Sequence, residues 1–303
     1  MRSRSFIILL AITALTCGLL IVNAQEPDDE VRGAFLSTRP KTTNQNATRR
    51  RRPPRNANSN ATTAKNANAG MSQTANANTT KFANQNSSTA NGPVQAIGLG
   101  YTLFMRDASG RSVRVEPSHE FHSGDRVRIS LEPSIDGYLY VFHTEGNGSP
   151  EMIYPDARLD AGENWIEAHV PMEVPSSEQS DDRYHWFVFD NNPATERLYV
   201  VVTREPLPAG PTGADLVKFC AANKDKCPWR PFSEVWAQLQ EASRAEVKVV
   251  TTKTFGQSQT EKEQVATTRG LGLDQSAPQP AVIRMNAVTN APVLVTVLDL
   301  IHK

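Results

Sequence analysis

Between Leu99 and Thr203 the sequence is cut into short runs of alternating apolar and polar residues, and most runs are bounded by Gly, Pro, Asn or Asp. Residues alternating with period two project to opposite sides of an extended backbone, so each run suits one β-strand and is too short for a packed helix. The predicted strands are Leu99–Arg106, Ser112–Val115, Arg126–Glu132, Tyr138–Thr144, Met152–Tyr154, Asn164–Val170, Tyr184–Phe189 and Arg197–Thr203. In the densest stretch, Val127, Ile129 and Leu131 fall on one face, and Arg126, Arg128, Ser130 and Glu132 on the other, as in a half-solvated strand. Asp136-Gly137 supplies hairpin chemistry, and Ser123-Gly124-Asp125 a turn into the first strand. Tyr138, Tyr140 and Phe142 then alternate with Leu139, Val141 and His143, so this strand is apolar on both faces and expected between two layers. Strands at this spacing without helices predict an antiparallel β-sandwich, Ig-like or jelly-roll-like, with a long polar loop at Pro171–Asp182.

The amino terminus has a different grammar. Arg2 and Arg4 precede an apolar run from Phe6 to Val22, and Val22-Asn23-Ala24 forms a small-residue cleavage site. Residues 1–24 are therefore expected to be a secretory signal peptide. An uncleaved anchor is the alternative; its apolar run is short for a span, which takes about 20 residues. Export to periplasm, cell surface or medium follows. Cleavage removes Cys17 and leaves Cys220 and Cys227, an even pair expected to form a disulfide.

Residues 25–96 are expected to be a disordered Asn/Arg-rich linker. From Arg39 to Gly92 there are twelve Asn, nine Lys or Arg and no Asp or Glu, with almost no large apolar side chain to offset chain entropy. Arg49, Arg50, Arg51, Arg52 and Arg55 form a block without interleaved aromatic residues. That argues against nucleic-acid stacking, and the block reads either as a solvated tail or as an electrostatic tether to an anionic lipid or polymer surface of the envelope, with peripheral membrane contact.

The β domain is expected over 97–208. Residues 209–303 are expected to hold a helical, disulfide-bearing insertion and strands completing or extending that domain. Asp215–Ala222 and Ser233–Ala245 carry apolar residues at helical spacing, with Ser233 as N-cap. Glu246–Thr254 reads as a strand, Phe255–Pro280 as a polar loop, and Val282–Asn286 with Val293–Ile301 as a closing hairpin.

No constellation names a reaction, a cofactor or a metal. His119 and His122 stand three apart, before a strand, where a helical zinc pair needs four. Gly98-x-Gly100 precedes its strand, and Asp181/Asp182 sit in a polar loop. Tyr184-His185-Trp186-Phe187 alternates as core, with Tyr184 or Trp186 as alternative lining of a binding face.

Gly100-Tyr101-Thr102-Leu103, Phe121-His122-Ser123-Gly124-Asp125, Gly137-Tyr138-Leu139-Tyr140-Val141, Ile153-Tyr154-Pro155 and Glu196-Arg197-Leu198-Tyr199-Val200-Val201 together resemble the bacterial family DUF4384, over residues 98–206. The family has no assigned catalytic residues, and its members occur beside kinase-like, caspase-like and envelope-associated modules. The resemblance therefore implies an accessory or binding role and transfers no site residue. The expected function is an exported, non-catalytic module on a basic stalk, binding protein or polymer at the envelope. A hydrolase of unrecognised type and a self-assembling surface protein are the rivals.

Overall fold

The computed structural model describes residues 27–42, 95–146, 148–176 and 185–303. The expected signal peptide and the arginines 49–52 and 55 lie outside them. Two sheets face each other. One has the order β11 (Val247–Thr251), β12 (Val282–Asn286), β1 (Gly98–Arg106), β4 (Arg126–Pro133) and β8 (Met172–Val174). Beside β1 lies β2 (Ser112–Val115), and beside β4 lies β9 (Phe187–Val188). We call this sheet A. Sheet B has the order β3 (Glu120–Phe121), β13 (Val293–His302), β10 (Thr195–Thr203), β5 (Gly137–Glu145) and β6 (Glu151–Tyr154), with β7 (Trp165–Ile166) beside β5. All pairings are antiparallel except β3 with β13. The strands after residue 208 belong to both sheets, so the β fold is complete only with the carboxy-terminal region.

The alternation reads out directly in the core. Leu99, Leu103, Val127, Ile129 and Leu131 of sheet A meet Leu139, Val141, Leu198, Val200, Val202 and Leu294 of sheet B. Each such side chain stabilises the fold by about 1.5–3 kcal/mol on leaving water.

The two short connections expected to be hairpins are not hairpins. After Pro133 the chain leaves sheet A and enters sheet B at Gly137, so β4 and β5 never pair. Gly137 is required there for close approach rather than for positive φ: a Cβ would stand 2.3 Å from the Thr203 carbonyl oxygen. The turn at Gly124, by contrast, does use positive φ, at 90°. Likewise β12 pairs with β1 and β11 while β13 pairs with β10 and β3, so the closing pair of strands spans the sandwich. The Asn286 amide donates to the Val293 carbonyl at 3.0 Å across that crossing.

Both outer faces are roofed. On sheet B, Tyr138, Tyr140, Phe142, Tyr199 and Val201 point outward, under Leu216 of α2 (Ala214–Ala222) and Val235 and Leu239 of α3 (Ser233–Ala242). Trp236 packs against Tyr199 and Phe142, with ring centroids 4.6 and 5.8 Å away. The cap of α3 is Phe232, not Ser233, and carries no side-chain capping bond.

The roof of sheet A overturns the expectation that Arg128 and Glu132 face solvent. Helix α1 (Pro27–Ser37) lies across β11 and β12 through Val31 and Phe35, and the strap after it carries Arg39 onto β4. The Arg39 guanidinium grips Glu132 twice, at 2.7 and 2.6 Å, and donates to the carbonyls of Asp274, Ala277 and Pro278. His169 joins Glu132 at 2.8 Å and Thr38 at 2.7 Å. The expected polar loop 255–280 contains α4 (Glu261–Arg269), opened by a Thr260–Glu263 capping box, and Glu263 pairs with buried Arg114. Arg128 donates to Gln259 at 2.6 Å and lies 3.5 Å from Glu173. Of the outward residues of β4, only Arg126 stays exposed.

Helix α1 falls inside the segment expected to be linker. The Pro40 backbone carbonyl accepts from Gln275 at 3.0 Å, and that of Gln95 accepts from Arg204. Both flanks of residues 43–94 thus rest on one body, and the basic block itself lies outside the described residues.

Candidate functional site

A cleft of about 820 Å³ opens where edge strand β6 of sheet B diverges from β8 and β9 of sheet A. One wall is Met152 to Leu159; the opposite wall is Val174 to Ser176 with Trp186 and Phe187; Leu216, Cys220, Cys227, Pro228 and Trp229 close it. The expected disulfide between Cys220 and Cys227 is formed, with Cα atoms 5.2 Å apart, and ties α2 to the third wall. Three cis prolyl bonds, at Pro155, Pro175 and Pro228, lie in this lining.

The aromatic residues are held from behind. The indole of Trp186 rests on the Arg128 guanidinium at 4.4 Å, so the buried ion cluster of sheet A fixes one wall. The Trp229 carbonyl accepts from the Met152 amide at 2.9 Å, and its ring leans on Phe142 and Phe232. Tyr154 donates its hydroxyl to the Glu163 carbonyl at 3.3 Å. Trp186 is buried, as the core reading of its alternation expects, and its ring forms part of the cleft wall, whereas Tyr184 lies outside the described residues.

The lining is mostly apolar. Its carboxylate, Asp156, is committed to Arg158 through its side chain and backbone amide. Both cysteines are oxidised, which leaves no thiolate there. The groups with shifted protonation lie elsewhere. Burial in the core pushes the Tyr101 hydroxyl up to about 12. The Ser109 hydroxyl and the Arg111 amide hold Asp107 down at about 2, in the turn joining β1 to β2. Lys303 lowers Glu120, and the Asn192 amide lowers Asp190.

One hydrolase-like juxtaposition does arise. Ser123 Oγ stands 3.4 Å from Nε2 of buried His302, across 179 positions of sequence. Its geometry falls short of a catalytic dyad. Among the described residues Nδ1 of His302 has no hydrogen-bond partner to orient the ring, and Asp190 is spent on Asn192. Among the described residues no cluster of three or more His, Cys, Asp or Glu side chains has the arrangement of a metal site. His119 packs on Phe121, and His122 faces Asp125 at 3.9 Å.

The backbone from β3 through β10 carries two of the cleft's three walls, and it is this stretch that has known counterparts. Residues 120–206 match DUF4384, a domain of unknown function. No curated protein and no solved structure matches the chain. The DUF4384 match begins at β3, so Gly98–Leu103 of β1 lies before it. It also ends before α2 and the disulfide. The third wall thus lies outside the matched segment and could not have been found from that segment's motifs.

Proposed function

We propose that the chain is an exported, non-catalytic binding module of the cell envelope, and that it takes an apolar segment of a protein partner into the cleft between β6 and β8–β9. The single observation behind this reading is the lining: Met152, Leu159, Val174, Trp186, Leu216 and Trp229, drawn from both sheets and the disulfide-tied wall, surround a cavity of about 820 Å³. Concave, mostly apolar sites of that size bind by burying apolar surface. Aromatic side chains held from behind suit such a role because little rotamer freedom is lost on binding.

The test is affinity capture from an envelope extract with the full chain, with Trp186→Ala, and with Arg197→Ala as a control on an exposed ion pair. The reading expects a partner whose recovery falls about tenfold or more with W186A and is unmoved by R197A. Equal recovery with all three proteins overturns it. A parallel screen of glycan, peptide and ester substrates is run with Ser123→Ala and His302→Ala. Turnover lost in those variants would replace a binding module with a hydrolase.

A further inference from the structure

Exposed strand edges invite pairing with other chains, and this protein covers several of its own. Segment 256–259 takes the outer edge of β2: Arg114 donates to Gln257 at 3.0 Å, Gly256 to Arg114 at 2.9 Å and Gln259 to Ser112 at 2.9 Å, all backbone to backbone. The outer edge of β6 is held at Met152 by the Trp229 carbonyl. Strand β11 is treated differently. Its flanking bonds to the β12 side run from Thr252 to Ala281 and from Ala287 to Glu246, which places the even-numbered residues in the ladder. The amides and carbonyls of Val247, Val249 and Thr251 therefore point away from the sheet. Among the described residues no backbone group pairs with them, and Val249 is 44% exposed.

We propose that β11 is a self-association edge, along which two copies of the chain pair antiparallel about a twofold axis through Val249. This is independent of the cleft and of its ligand. Centring on Val249 sets Val249 opposite its copy and Val247 opposite Thr251 of the second chain. Every outward amide then meets an outward carbonyl, and two seven-stranded sheets become continuous. The residues meeting on the inner side, Val247, Val249 and Thr251, are all β-branched and uncharged.

Charge favours a second copy over a foreign strand. The one charged residue of β11, Lys248, lies on the opposite side with Glu30 of α1 at 3.4 Å. Across the axis the two lysines become diagonal neighbours, and each arrives with its own carboxylate, so the seam alternates in sign. The edge carries no unpaired charge to select a different partner. It is complementary to itself, as an isologous contact must be.

Cross-linking reads the register. In full-length chain carrying Cys17→Ser, Cys220 and Cys227 are tied together, so Val249→Cys adds the one free thiol. Residues directly opposed in such a ladder have Cα atoms about 5.5 Å apart, within disulfide reach. Two copies of residue 247 would stand about 13 Å apart, beyond it. Mild oxidation is expected to give covalent dimer with V249C and at least about tenfold less with Val247→Cys. Sedimentation of the unsubstituted chain over a concentration series should show reversible dimer. Val249→Pro removes an outward donor and leaves the bonds to β12 in place; it should weaken that dimer about tenfold or more with an unchanged circular dichroism spectrum. A monomer at every concentration, equal cross-linking at both positions or none at either, or a V249P dimer of unchanged strength, overturns the proposal.

Discussion

The sandwich has two outer faces, and they are closed by opposite chemistry. Over sheet B, aromatic and aliphatic residues of β5 and β10 meet α2 and α3 as a second apolar core. Over sheet A, Arg39–Glu132, Arg114–Glu263 and Arg128–Glu173 are buried beneath the amino-terminal strap and α4. Apolar packing tolerates many partners of suitable volume. A buried charge tolerates only a counter-charge at hydrogen-bonding distance, so the polar roof fixes which segment lies where. Polarity along β4 was correctly read from the sequence, but exposure was not: a polar face stays in water only until a remote part of the chain brings its complement.

Removing one side of a buried pair should show this contrast most strongly. Glu132→Ala leaves the Arg39 guanidinium buried with carbonyls alone, and should cost about 3–5 kcal/mol in urea unfolding. Leu239→Ala, which opens a cavity in the other roof, should cost about 2–4 kcal/mol, and the two losses should add because the sites share no neighbours. Strong non-additivity in the double variant would mean that the roofs are one cooperative unit. Replacing the pair by Arg39→Met with Glu132→Leu should recover part of the E132A loss, but leave a deficit of about 1–3 kcal/mol. Arg39 also serves the carbonyls of Asp274, Ala277 and Pro278, which an apolar side chain abandons. Thr260→Ala removes the cap of α4 and should cost about 1 kcal/mol, read by the same unfolding curves.

The smallest effect belongs to neither roof and serves as their control. Asp107 accepts from Ser109 and Arg111, and its pKa is lowered to about 2. A depressed carboxylate stabilises the fold above its unfolded pKa and loses that contribution as pH falls through the folded value. The difference in urea midpoint between the unsubstituted chain and Asp107→Asn should therefore be constant near pH 5 and vanish between about pH 4 and pH 2.

Much of the sandwich was legible because its signals are local. Val127, Ile129 and Leu131 are buried on one side of β4, and β5 is apolar on both sides, as their spacing required. The disulfide followed from an even pair of cysteines. What escaped depends on distance along the chain. Arg39 and Glu132 are 93 residues apart, and nothing near either one announces the other. Helix α4 has a Thr-x-x-Glu start but buries only Ala266 and Thr267, too little for an apolar stripe to show. Strand pairing at residues 133–137 was misread because Asp-Gly serves a sheet-to-sheet corner as readily as a hairpin. The cleft was not legible, since its walls come from three separated stretches of the chain.

The docking of α1 also resets a length. The expected apolar run ends at Val22 and the folded body begins at Pro27, about five residues later instead of some 75. Five residues span at most roughly 18 Å. Were that run to remain in a bilayer, the domain would ride close to the headgroups with its α1 side toward them. Strand β11, beside α1, would then search for its copy by lateral diffusion in two dimensions. Cleavage after Ala24 would return the same edge to three-dimensional dilution, so processing of the amino terminus would also set how often two copies meet.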